Sequence, residues 1–213
     1  METFYDIGLN KTDKVYHHRY DRFYPTFLEP LRNQKFNMLE IGIDQLGSLE
    51  LWKEYFPKAY IYGADIGVEY KDERSKVFKV DQSNDHDLQF LVDNIPPCKF
   101  IIDDGSHHPY HQYLTFIKLF PNLLEEGGVY IVEDIECNYW RPDTSLYGYN
   151  MGYFNFIDWV KGKINYVNSE FAKIKNDLNI SSITFAQNCI IFTKTKVEDI
   201  PTQNRQYRLW TVL

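Results

Sequence analysis

Two apolar runs, each ending in an acidic pair, restrict what this chain can fold into more than any other feature. The first is Phe100-Ile101-Ile102 followed by Asp103-Asp104-Gly105-Ser106-His107-His108, and the second is Val129-Tyr130-Ile131-Val132 followed by Glu133-Asp134. Between them Tyr113, Phe116, Ile117, Phe120 and Leu124 recur at helical spacing and Glu125-Glu126-Gly127-Gly128 closes the segment, which predicts strand, helix, strand. Such a crossover makes the strands parallel and brings their carboxyl ends to one edge of the sheet, where open α/β folds bind ligands. Carboxylates converging there beside an imidazole form a site for a hard cation with a candidate base attached.

The same pattern extends in both directions. Strands are expected at Met38–Gly42, Tyr60–Asp65 and Val77–Asp81, with helices at Ser48–Phe56 and Asp87–Asn94. Upstream, Thr12 or Asp13 caps a helical stretch from Val15 to Leu31 that Pro25 interrupts. Downstream, an aromatic loop from Tyr139 to Phe154 precedes a helix from Asn155 to about Asp177, and an antiparallel hairpin pairs Ile183–Phe185 with Cys189–Thr193. Strands alternating with helices define an α/β fold with a mostly parallel sheet covered on both faces. One domain is expected over 1–213, divided into a helical segment (1–35), a cofactor and metal core (36–135), an aromatic loop and helix (136–180) and a closing hairpin (181–213).

Composition excludes several classes of function. A formal charge of -7 leaves too little clustered Lys and Arg for a nucleic-acid backbone. The chain has neither an apolar leader nor an 18-residue apolar span, so a soluble, unexported protein without a membrane partner is expected. Cys98, Cys137 and Cys189 have no zinc-type spacing and suit reduced thiols in the cytoplasm.

The first half also carries the marks of a nucleoside site. Gly42 and Gly47 flank the turn after the first strand, and Ser48 opens a helix whose amino end attracts a carboxylate or phosphate. Glu40 ends the first strand; Asp65 ends the second, where an acidic side chain can hold two ribose hydroxyls; Asp81-Gln82-Ser83 ends the third, placed to meet an adenine edge.

Taken in order, Thr12-Asp13-Lys14, Leu39-Glu40-Ile41-Gly42, Gly47-Ser48-Leu49, Trp52-Lys53-Glu54-Tyr55-Phe56-Pro57, Asp81-Gln82-Ser83, Ile102-Asp103-Asp104-Gly105-Ser106-His107 and Val132-Glu133-Asp134 resemble class I S-adenosylmethionine methyltransferases of the macrolide-sugar O-methyltransferase type. The resemblance runs from about residue 11 to residue 142. It implies a Rossmann-like seven-stranded sheet, S-adenosylmethionine as methyl donor and a divalent metal, magnesium or manganese, held by Asp104, Glu133 and Asp134. His107 is then the base, and Lys14 and Tyr20 become contacts to the methionine end of the cofactor.

A sugar hydroxyl ionises far above neutral pH, so methyl transfer needs it polarised, aligned and deprotonated, tasks suited to a metal and an imidazole. Asp103, on the opposite face of its strand from Asp104, is structural or faces the cofactor. Tyr139 and Trp140 begin an aromatic loop that either stacks on a sugar or packs on the last helix, and His108 is a further substrate-side candidate. The acceptor expected is a sugar, free, nucleotide-linked or within a glycan, and a homo-oligomer is compatible with the chain. Two rival readings are a metal-dependent nucleotide-sugar glycosyltransferase and a non-catalytic subunit with a methyltransferase fold.

Overall fold

The structure, a computed structural model, describes residues 2–196. Five parallel strands form the frame: β1 (Asn37–Ile41), β2 (Tyr60–Asp65), β4 (Ser75–Lys79), β5 (Cys98–Asp103) and β6 (Leu124–Glu133). The short β3 (Tyr70–Lys71) pairs antiparallel with β4, and β10 (Cys189–Lys194) pairs antiparallel with β6 and β9 (Ile180–Ala186). The order is β3-β4-β2-β1-β5-β6-β10-β9. The expected sheet of seven is thus eight, the addition being the two-residue edge strand. Strand order reverses between β1 and β5, and the carboxyl ends of those two strands open the crevice where a ligand is accommodated.

Alternation along each strand builds two cores. Met38, Ile61, Phe100, Ile102, Val129 and Ile131 point to one face and pack under Trp52 and Tyr55 of α4 (Gly47–Tyr55) and Phe56 just after it. Leu39, Ile41, Ile101, Tyr130 and Val132 point to the other, against α5 (Asp85–Asn94) and α6 (Pro109–Asn122). That parity buries Glu40 among the first set and Asp103 among the second, although both stand at strand ends.

The amino-terminal segment is more broken than its periodicity suggests. In place of one interrupted helix it forms α2 (Asp13–Tyr16), a 3-10 turn over Tyr20–Arg22, α3 (Tyr24–Leu28) and a second 3-10 turn over Glu29–Leu31. Arg19 takes a left-handed φ of 58°, while Pro25 and Pro30 each sit in the first turn of a new element, where proline's missing N–H costs nothing. Thr12 is the cap of α2. Ahead of it, α1 (Phe4–Gly8) carries a reciprocal capping box between Thr3 and Asp6, and Phe4 packs edge-on against Tyr55 at 5.0 Å.

The later half departs in three places. Glu125–Gly128 lies inside β6, with Gly127 at a φ of 62°, and does not close α6. Within the aromatic loop a small hairpin, β7 (Ser145–Leu146) and β8 (Tyr149–Asn150), turns on Tyr147-Gly148 with φ of 50° and 86°, the geometry of a type I′ turn. The helix expected to Asp177 is three short ones, α7 (Phe156–Lys161), α8 (Ile164–Val167) and α9 (Ser169–Ala172). Ile157 and Val160 are buried as expected, but Ile164 and Phe171 are exposed. The C-terminal antiparallel hairpin forms as read, and the part of the closing segment from 197 to 213 lies outside the described residues. Among the described residues no helix is long and apolar enough to cross a membrane.

The end of α6 is closed by one long side chain. Lys194 Nζ donates to the carbonyls of Phe120, Pro121 and Leu124 at 3.1, 2.9 and 2.7 Å, satisfying two acceptors that the terminating helix leaves open and one at the start of β6. Lys194→Met keeps the aliphatic stem and removes all three bonds, and should cost about 2 kcal/mol or more in urea unfolding. A loss within the error of the wild-type value would mean that solvent serves those carbonyls equally well.

Candidate metal centre and cofactor cleft

At the carboxyl edge one buried ammonium organises three acidic side chains. Lys14, projecting from α2, places Nζ against Asp104, 2.8 Å from Glu133 Oε2 and 3.3 Å from Glu40 Oε1. Burial opposes its charge, but the carboxylates of Asp104, Glu133 and Glu40 more than offset this and hold its pKa well above the usual lysine value. The expected contact between Lys14 and a cofactor is therefore corrected: its donors are spent on carboxylates behind the cleft wall. Glu40 is likewise enclosed, its other oxygen accepting a bond of 2.7 Å from Ser48 Oγ.

The two acidic residues at the end of β6 face different ways. Glu133 is saturated, with Lys14 on one oxygen and the Tyr24 hydroxyl on the other. Burial, and then the nearby Asp104 charge, push its pKa well above the ordinary carboxylate value. Asp134 turns out of the strand with a left-handed φ of 50°. Its Oδ1 accepts from Tyr20 Oη at 2.7 Å and Asn188 Nδ2 at 2.8 Å, with His18 Nδ1 at 3.3 Å, while Oδ2 lies 3.7 Å from His107 Nε2. Tyr20 thus supports Asp134 and does not line the cleft.

His107 also has a left-handed backbone, with φ of 57°, a conformation that costs a non-glycine residue energy and here swings the imidazole back over Asp134. Ligand atoms of Asp104, His107 and Asp134 lie within 4.8 Å of one another, close enough for one cation. The carboxylate oxygens of Asp104 and Asp134 suit magnesium or manganese, with the imidazole beside them, so the residues present fit the expected metal. The convergent set contains His107 where the sequence reading has Glu133, whose oxygens are already committed. For Asp104, burial raises the pKa but the Lys14 and His107 charges bring it below its ordinary value. For Asp134, burial and then the Asp104 charge raise it.

Beside this cluster lies a cavity of about 900 Å³ whose wall includes Gly42, Gly47, Ser48, Asp65, Asp81 and Gln82 from the predicted nucleoside site, together with Asp104, His107 and Asp134. Several of these residues work differently from expectation. The space left by glycine at 47 receives the Lys11 carbonyl, and that at 42 receives the Asp104 carbonyl: a Cβ would come within 2.2 and 2.1 Å respectively. Both glycines join loops in addition to lining the cleft. Asp65 accepts four backbone N–H groups, from Ile43 and Asp44 on Oδ2 at 2.9 and 3.1 Å and from Gly67 and Val68 on Oδ1 at 2.7 and 2.9 Å. It therefore ties down the loop after β1, in which Gly42, Asp44 and Leu46 all have positive φ. Burial raises the Asp65 pKa, but these four donors outweigh it and bring it below the ordinary value.

Gln82 donates to Asp103 Oδ1 at 2.7 Å and Thr115 Oγ1 at 3.0 Å and accepts from Ser106 N at 2.8 Å. Its amide is thereby occupied, and Asp81 lines the cavity beside it. Asp103 is buried away from the cleft and positions Gln82, which replaces the cofactor-facing alternative. Burial pushes the Asp103 carboxyl up to about 7.

The flap formed by β7 and β8 brings Tyr147 and Tyr149 to the cleft, residues that the sequence reading singled out only as part of an aromatic loop. Gly148 between them was the available signal. Tyr149 stands edge-on to His111 at 4.7 Å, and His111 Nδ1 lies 2.9 Å from Ser106 Oγ. Burial and the adjacent His108 push the His111 pKa down to about 4, so its imidazole is neutral. His108 caps α6 and anchors the flap through Nε2 to the Asn150 carbonyl at 2.7 Å, and Tyr139 lines a second cavity; neither they nor Trp140 line the cleft.

These features define a class I S-adenosylmethionine methyltransferase fold with an acidic cation-type centre at its strand ends. The chain is similar to sugar O-methyltransferases of the macrolide and tetracenomycin type. It is 37% identical over 145 residues to the 8-demethyl-8-alpha-L-rhamnosyl tetracenomycin-C 2'-O-methyltransferase of Streptomyces olivaceus, covering 64% of this chain and 38% of that protein. It is 36% identical over 130 residues to the mycinamicin VI 2''-O-methyltransferase of Micromonospora griseorubida, covering 57% of this chain and 31% of that protein. The solved structure of the MycE methyltransferase from the mycinamycin biosynthetic pathway, in complex with Mg, SAH and mycinamycin VI, superposes with a TM-score of 0.80 at 25% identity, covering 95% of this chain and 57% of that one. The chain thus spans well under half the length of these curated relatives. No family model matches it.

The buried Asp103 gives the centre a measurable pH signature. Its folded pKa, about 7, lies above its ordinary 3.8, so the stability it contributes is complete below the lower value and is lost as pH rises through the higher one. Asp103→Asn keeps an acceptor for Gln82 and cannot ionise. The variant should gain on wild type between about pH 4 and pH 8, by up to the order of 4 kcal/mol. Equal pH slopes in thermal unfolding of the two proteins would show that Asp103 ionises freely in the fold.

Proposed function

We propose that the chain is an S-adenosylmethionine-dependent O-methyltransferase that uses a divalent cation and acts on a hydroxyl of a sugar. The observation that carries this reading is the convergence of Asp104, His107 and Asp134 within 4.8 Å on the wall of the cleft made by the strand ends. Support comes from the two relatives, both O-methyltransferases and one of them acting on a rhamnosyl tetracenomycin, and from the MycE structure, solved in complex with Mg and SAH.

On this reading the amino end of α4 takes the cofactor's carboxylate, since Gly47 and Ser48 line the cleft and no side chain caps the helix. Asp65 exchanges part of its backbone hydrogen bonding for the ribose hydroxyls, and Asp81 meets the adenine amino group. Asp104 and Asp134 Oδ2 hold the metal, and Glu133 stays paired with Lys14 and Tyr24. Bound S-adenosylmethionine supplies an electrophilic methyl, and a bound divalent ion acts as a Lewis acid that lowers the hydroxyl pKa. His107 accepts the hydroxyl proton at Nε2, and the imidazolium formed is stabilised by Asp134 at 3.7 Å. Tyr147, its ring centroid 6.4 Å from that of His107, shields the reacting atoms from water. Three buried free thiols suit a reducing, cytoplasmic setting, and the net charge of -7 argues against a nucleic-acid substrate.

Calorimetric titration should show S-adenosylhomocysteine binding, and UDP-sugars should give no heat. Methyl transfer should stop in excess EDTA and return with magnesium or manganese. His107→Ala should lower turnover by ~10²-fold or more with metal affinity retained, the loss expected for a missing general base. Asp104→Ala should lose metal affinity as well. Equal loss of metal affinity in both variants would make the imidazole a ligand and move the base elsewhere; full activity in EDTA would remove the metal.

A further inference from the structure

A second cavity, of about 590 Å³, lies behind Asp134 as seen from the cofactor cleft. Its polar wall is His17, His18, Glu136, Tyr139, Gln187 and Asn188, and only two small or aliphatic side chains complete it. Asp134 lines the cleft, and its partners His18 and Asn188 line the second cavity, so this carboxylate stands between the two. Asn188 Nδ2 and His18 Nδ1 approach Asp134 Oδ1 at 2.8 and 3.3 Å from the side of the second cavity, while Oδ2 faces His107 and the cleft. A ligand reacting at the metal centre and extending past Asp134 enters this space.

The chemistry of the wall selects what it holds. Glu136 comes from the 3-10 turn Ile135–Tyr139 that directly follows Asp134; it lines this cavity, and its Oε2 has no hydrogen-bond partner among the described residues. A carboxylate so placed is destabilising unless a donor meets it, which a ligand hydroxyl can supply. Tyr139, from the same turn, is 74% exposed and offers a ring face at the rim. Gln187 accepts from Arg22 Nη2 at 2.9 Å, which fixes its amide in the turn between β9 and β10. A carboxylate, an amide and imidazoles beside one free aromatic ring match a pyranose, which offers several hydroxyl donors and one apolar face. A flat polycyclic or macrolide aglycone would leave those polar groups desolvated and unpaired.

We propose that the second cavity binds the sugar residue adjoining the one that is methylated, so that the acceptor is the end of a di- or oligosaccharide. The proposal rests on the sugar O-methyltransferase reading above and adds the identity of what the methylated sugar is attached to. The glycosidic link crosses over Asp134, with the reacting ring on the Oδ2 side and the neighbouring ring donating to the Glu136 carboxylate and stacking on Tyr139.

The test is transfer of a labelled methyl group from S-adenosylmethionine to an array of neutral methyl glycosides, the same terminal sugars in di- and trisaccharides, and the same sugars on a naphthyl aglycone. The best disaccharide should exceed its monosaccharide and naphthyl counterparts in kcat/KM by about tenfold or more, and Glu136→Gln and Tyr139→Ala should each bring that ratio towards one. S-adenosylhomocysteine affinity, measured on each variant, shows that it is folded. A wild-type ratio near one, a preference for the naphthyl glycosides, or a ratio that survives both substitutions overturns the inference while leaving the methyltransferase reading standing. Absence of transfer to every sugar by protein that binds S-adenosylhomocysteine overturns both.

Discussion

The contact on which the site depends is the buried Lys14 ammonium set among Glu40, Asp104 and Glu133. Its partners come from the ends of β1, β5 and β6, and it reaches them from 90 and 119 residues away in the cases of Asp104 and Glu133. One side chain thus joins the amino-terminal segment to three strand ends that would otherwise repel each other. Removing one partner from such a group typically costs about 3–5 kcal/mol, because the charge left behind has neither water nor a counter-ion. Three carboxylates around one ammonium still leave an excess of negative charge. Part of it is relieved by the raised pKa values of Glu40 and Glu133, for which burial is the largest cause.

This arrangement decides which oxygens are free to act. Tyr24 and Lys14 close off Glu133, and Tyr20 and Asn188 occupy the inner oxygen of Asp134. What remains on the cleft side is Asp104, the outer oxygen of Asp134 and the His107 imidazole. The left-handed backbone at both His107 and Asp134 directs them across the gap between β5 and β6. Sheet topology supplies the rest: the strand order turns at β1 and β5, so the cofactor cleft and the acidic centre open on the same edge.

Much of this was legible in the sequence, because buried parallel strands are short apolar runs and their terminal residues face the ligand edge whatever the helices do. The strands around Ile41, Asp65, Asp103 and Glu133 fell near where the runs predicted, and Asp104, His107 and Asp134 converge. The amino-terminal segment was less legible, since helical spacing from Val15 to Leu31 says nothing of the left-handed turn at Arg19. The saturation of Glu133 was not legible either: it depends on Tyr24, which folds back across 109 residues to reach it. Similarly, Gln82 reads as a base-facing amide until Thr115 and Ser106, brought in by α6 and the turn before it, are seen to occupy it. Three-dimensional competition for each lone pair decides these roles, and spacing along the chain does not record it.

The central claim is that Asp104, at the edge of the Lys14 cluster, and the outer oxygen of Asp134 form one divalent cation site. Crystals grown with manganese and S-adenosylhomocysteine, measured at the manganese edge, test it directly. The expected result is a single anomalous peak about 2.1–2.3 Å from oxygens of both Asp104 and Asp134, with Lys14 still paired to Glu133. A peak elsewhere, or none at saturating manganese with the cofactor product bound, would contradict it.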